Sequence, residues 1–135
     1  MTTYRSLADD LRHRDDAALS RLLRRRPDLV HPVPSDITSL ATRATTGPSV
    51  SRCLDGLDAL HLHVLRMAAE VTASGAVPDA AIIAAAAHGL PHEALPSCEA
   101  ALGDLVDAAL VWGTGDARRS VQAVRDLVAE VPPPL

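Results

Sequence analysis

The chain has no phenylalanine, one tyrosine and one tryptophan in 135 residues. Its interior must therefore be assembled from Leu, Val, Ile and Ala, which favours closely packed helices. Lysine is also missing, since all 13 basic residues are Arg. A Walker A phosphate loop, a Schiff-base enzyme and a lysine general base are thereby excluded within this chain. Cysteine is scarce: Cys53 and Cys98 lie far apart on stretches that read as helices, and no charged leader followed by an apolar core precedes them. The expectation is a cytoplasmic protein with buried thiols. The most apolar run, "PDAAIIAAAAHGL", is mostly alanine and too short to span a bilayer, so no membrane partner is expected.

A chain of this length holds one compact domain, or two small helical lobes sharing a core. The formal net charge is −4, unevenly spread. Up to Val30 seven Arg face five Asp, whereas from His31 onward six Arg face twelve acids. Any basic surface is expected mainly at the N-terminal end.

Helix signals begin at once. Ser6 is placed to cap a first helix reaching about Arg14, with Leu7 and Leu11 four apart on one face. Asp15 and Asp16 start a second, which carries Leu19, Leu22 and Leu23 inward and ends in Arg24, Arg25 and Arg26 before Pro27, acids first and bases last as the helix dipole prefers. "VHPVPSD" is a proline-rich link. Ser35 is expected to cap a third helix with Ile37, Leu40 and Ala41 inward, and "SVSRCLDGL" reads as a fourth. These hairpins form an expected helical cap, residues 1–57.

From Asp58 the helical period strengthens, with Leu60, Val64, Met67, Ala68 and Val71 on one stripe, Leu62, Leu65 and Ala69 beside it, and His63, Arg66 and Glu70 on the polar edge. Pro78 suits the first turn of the next helix, which Gly89 ends. "LPHEALPS" reads as a turn. A helix from Cys98 to Ala109 follows, with Glu99, Asp104 and Asp107 outward. After it, "ALVW" and "SVQAV" read as two strands joined by "GTGDARR". Three helices and a hairpin are the order of a winged helix-turn-helix. The expected fold is mostly α: N-terminal helical hairpins packed on a winged helix over 58–131, with one short β-hairpin. Residues 132–135, proline-rich, are expected as a linker to a following domain. Trp112, where the third helix gives way to the wing, is the expected anchor between wing and core.

"SLADDLRHRDDAALSRLLRRRPDL" followed by "DITSLATRATTGPSVSRCLDGLDALHLHVLRMAA" resembles the N-terminal region of actinobacterial helicase-associated proteins, those similar to the N-terminal domain of the XPB/Ssl2 DNA-repair helicase. Its marks are Arg26, Pro27, Asp28 and Leu29 after a basic helix end, then Leu40, Ala41, Arg43 and Ala44, then Leu57, Asp58 and Leu60. The resemblance spans nearly the whole chain, most clearly Ser6 to Ala69, and implies the front of a longer protein. It carries over no active-site motif, and no nucleotide-binding motif is present.

No motif points to an enzyme. Ser97, Cys98 and Glu99 form no nucleophile elbow. His61 and His63 diverge on a helix, Gly89 and Pro91 interrupt the helix that would align His88 with His92, and Cys98 adds little to that pair; no metal or other cofactor is expected. Two readings remain. In the first, the chain is a non-catalytic module for protein or interdomain contact, with Glu99, Asp104 and Asp107 meeting a basic partner or the rest of its own chain. In the second, it is an accessory DNA-binding winged helix using Arg21, Arg24, Arg25 and Arg26 with Arg118 and Arg119 at the wing. The third helix offers three carboxylates where base readout and phosphate contact call for donors, so it is a poor probe of the major groove.

Overall fold

The computed structural model describes residues 4–130. Among them are eight α-helices and one two-stranded antiparallel sheet, so the chain is mostly helical with a single hairpin. In chain order the elements are α1 (Leu7–Arg12), α2 (Asp16–Arg25), α3 (Ile37–Ala44), α4 (Gly47–Asp55), α5 (Ala59–Val71), α6 (Asp79–Ala87), α7 (Leu95–Asp107), β1 (Val111–Thr114), β2 (Ala117–Ser120) and α8 (Gln122–Glu130). The expected linker at 132–135 lies outside the described residues.

Side-chain caps explain where most of these helices begin. Ser6 accepts the Asp9 amide at 3.1 Å, Asp15 that of Ala18 at 2.8 Å and Asp58 that of His61 at 2.8 Å. Each such bond supplies a partner to an otherwise orphaned donor. The third helix is capped by Asp36, which accepts from the Ser39 amide at 2.8 Å, and not by Ser35. A carboxylate one residue nearer to Ile37 takes the position, leaving the Ser35 hydroxyl 3.2 Å from that of Ser39.

Three boundaries differ from expectation. α7 starts at Leu95, three residues before Cys98, because Pro96 falls in the first turn, where a helix needs no amide donor. The hairpin loop is only Gly115 and Asp116: Thr114 pairs with Ala117 and Gly113 with Arg118, so Arg118 and Arg119 are both strand residues. The second strand ends at Ser120, and "QAVRDLVAE" forms α8. Val121, Val124 and Val128 recur at helical spacing and are all buried; the short "SVQAV" alternation gave way to packing of α8 on α4 and α5.

The core lies in two adjoining clusters. One joins Val50 and Leu54 of α4 to Val64, Leu65 and Ala68 of α5, with Ile82, Leu102, Leu105, Val111 and Val124. Thus α4 shares its core with elements beyond Leu57. The other gathers Leu7, Leu11, Leu22, Leu29, Leu40 and Ala41 around Ala109. Leu11, Leu22 and Leu29 are fully buried, and at about 2 kcal/mol each they make the N-terminal helices an integral layer. Trp112, part-buried, packs against both clusters, which is the anchoring place expected for it.

The passage from α7 into the hairpin is made by backbone. Leu110 donates to the Leu105 carbonyl at 3.1 Å and Ala109 to that of Val106 at 3.0 Å, closing the helix in the double-bonded reversal that needs a left-handed residue. Here that residue is Ala109, φ 58°. The left-handed conformation costs about 1 kcal/mol, and full burial of the Ala109 methyl in the second cluster offsets it. At Gly113, φ 101°, a Cβ would run into the Ala117 carbonyl. Its amide donates to the buried Asp10 carboxylate at 2.8 Å, which pins α1 to the hairpin. Before α6, Val77 and Arg118 exchange two backbone bonds of 3.0 and 2.7 Å, adding a one-residue third rung beside β2.

Candidate interaction site around α7

A helix ends with four carbonyls that lack intrahelical partners and a partial negative charge. At the end of α7 arginines that flank α2, Arg14 before it and Arg26 after it, meet that demand. Arg14 donates to the carbonyls of Val106 at 2.8 Å and Asp107 at 3.2 Å. Arg26 donates to that of Ala108 at 3.0 Å. Arg14 is in turn held by Asp10 at 2.8 Å, the carboxylate that also takes the Gly113 amide.

The outward carboxylates of α7 face the same helices. Asp107 pairs with Arg21 at 3.3 Å, and Asp104 pairs with Arg25 at 2.8 Å through one oxygen and with His61 of α5 at 2.8 Å through the other. His61 also touches Asp58 through its second ring nitrogen, at 2.7 Å. Burial works against the charged imidazole, but the hydrogen bonds to Asp104 and Asp58 outweigh it and hold its pKa above the ordinary 6.5. The Asp58 carboxyl is held below the usual carboxylate range by its bonds from the His61 amide and ring. Two of the three expected partner-binding acids therefore have partners within the chain, on the α2 side. Glu99 is exposed.

The six arginines expected at nucleic acid separate into different roles. Arg26 is a correction: it is 1% exposed and cannot meet a phosphate. Besides Ala108 it donates to the Ala44 carbonyl at 2.7 Å and to the Ser49 hydroxyl at 2.9 Å, and Ser49 donates to Asp28 at 2.6 Å. Burial lowers its pKa, with Cys53 and Asp28 acting in the opposite direction. Arg21 and Arg25 are half-exposed but engaged with Asp107 and Asp104. Arg118 binds Asp79 at 2.8 Å and the Gly113 carbonyl. Arg24 and Arg119 are exposed. Because neighbouring strand residues project to opposite faces, Arg118 and Arg119 do not act together: Arg118 lines a groove of about 360 Å³ with Asp79, Ile83, Glu99, Leu102 and Asp107, whereas Arg119 lines a separate cleft beside Trp112.

Sequence reasoning missed Arg14, Asp10 and Asp79. Their partners lie 92, 103 and 39 residues away, and the one local sign, the four-residue spacing of Asp10 and Arg14, marks their mutual pair and not those partners. For His61 there was a local sign, since it stands three residues after the capping Asp58. His63 bonds the Ala86 carbonyl at 2.9 Å, away from His61. Cys98 is buried, and among the described residues no three potential metal ligands come together. No described helix is long and apolar enough to cross a membrane. No family model, curated protein or solved structure matches this chain.

Proposed function

We propose that the chain is a non-catalytic winged-helix module acting in protein and interdomain contact, with α7, the helix in the reading position, committed to protein rather than to DNA bases. Support for the winged-helix reading comes from the order α5, Val77 rung, α6, α7 and hairpin, with α5, α6 and α7 mutually packed. One observation carries the functional reading: Asp104 and Asp107 are paired with Arg25 and Arg21 of the same chain. Beside these pairs α7 borders a groove in which Glu99, Asp107 and Asp79, the last ion-paired with Arg118, set three carboxylates against one guanidinium around the apolar Ile83, Leu102 and Val106. Such a groove suits a basic, partly apolar protein segment and repels phosphate. The resemblance to the front of helicase-associated proteins fits a role in which that segment belongs to the remainder of a longer chain.

Titration of the isotope-labelled protein with duplex DNA at low salt, followed through backbone amide shifts, tests this. The amides from Glu99 to Ala108 are expected to stay unmoved. Saturable shifts confined to α7 would make it a reader and overturn the proposal.

A further inference from the structure

On the other face of the hairpin a cleft of about 640 Å³ runs between β2 and the end of α5. Its size is that of small-molecule sites, roughly 300–1,000 Å³. Three arginines line it, Arg5 ahead of α1 joining Arg119 on β2 and Arg125 on α8 from the other end of the chain. No acidic side chain lines it among the described residues, although the protein as a whole is acidic. Trp112 lines the wall.

We propose that this cleft binds single-stranded nucleic acid, with phosphates on Arg5, Arg119 and Arg125 and a base against Trp112. Three positive groups without a counter-carboxylate form an anion site by charge alone, and guanidinium matches phosphate in two-pronged geometry. Arg125 is already oriented, donating to the Ser120 carbonyl at 2.7 Å and its hydroxyl at 3.1 Å and to Gln122. Little side-chain freedom is then lost on binding. An indole beside the arginines selects a ligand that carries a flat ring as well as negative charge, since base stacking on aromatic side chains is a main source of single-strand affinity. Tyr4, the other aromatic residue of the cleft, is stacked on His13 with centroids 4.8 Å apart, so Trp112 is the platform. A duplex keeps its ring faces inside the stack and cannot offer one. None of these residues belongs to the α7 surface, and the inference does not depend on its role.

The only tryptophan of the chain is the reporter. An oligodeoxythymidylate of about a dozen nucleotides, added to the full chain at low salt, is expected to quench Trp112 fluorescence saturably, and the affinity should fall as salt rises. Arg5 and Arg119 are exposed, so Arg5→Ala with Arg119→Ala leaves the fold intact, checked by circular dichroism. That variant is expected to bind about tenfold more weakly or worse, with a salt slope reduced by about two. Unchanged affinity in the variant, or no quenching at low salt, overturns the proposal. Duplex DNA or polyglutamate binding more tightly than the single strand overturns it, as does inorganic phosphate or a mononucleotide binding equally well.

Discussion

The guanidinium of Arg26 donates to the carbonyl of Ala108 at 3.0 Å across 82 residues of sequence, joining the end of α2 to the end of α7 inside the protein. With the Ala44 and Ser49 bonds, it is the knot where the N-terminal helices meet the rest of the chain.

Replacement of Arg26 by Met keeps much of the volume but leaves the Ala44 and Ala108 carbonyls without their donor. Unsatisfied buried groups cost about 1–3 kcal/mol each, so Arg26→Met is expected to lower unfolding stability by about 3–5 kcal/mol. A denaturant midpoint indistinguishable from that of the parent would contradict this.

Gly113→Ala places a methyl against the Ala117 carbonyl at a positive φ. Backbone strain and the clash together are expected to cost about 2 kcal/mol or more and to loosen Asp10 from the Gly113 amide. The melting temperature and the emission maximum of Trp112, the neighbouring residue, are the measurements. An unchanged melt with unchanged emission would show that the hairpin does not depend on that backbone conformation.

His61 stands between two carboxylates, and its pKa is raised above the ordinary 6.5. A raised folded-state pKa means that the contribution is fully present below the unfolded value and is lost as pH rises through the folded one. The stability gap between the parent and His61→Gln should therefore be larger near about pH 5.5 than near about pH 8.5. Equal gaps at both would mean that the Asp58 and Asp104 contacts do not favour the charged ring.

What could be read from the chain follows from range. Ser6 and Asp15 were readable as helix starts because each accepts from an amide three residues on. The leucine faces of α1 and α2 were readable because helical period reports burial. The run Arg24 to Arg26 looked uniform, yet the three diverge. Arg24 is in solvent, Arg25 reaches an acid 79 residues on, and Arg26 is buried. Successive residues at a helix end point in different directions, and only tertiary contact settles which one turns inward. For the same reason Arg5, Arg119 and Arg125 could not be joined from sequence, and α8 was hidden behind a short alternation that its buried valines override.

The acidic face of α7 as an internal docking surface for α2 is tested most directly by exchanging the charges of Arg25 and Asp104. Thermal or denaturant unfolding is measured for Arg25→Asp, for Asp104→Arg and for both together. Each single reversal sets like charges face to face and is expected to destabilise, whereas the double reversal restores the pair and should recover about 1 kcal/mol relative to the sum of the singles. Strict additivity, with the double variant as unstable as the two singles summed, would show that α2 does not hold α7 through this pair.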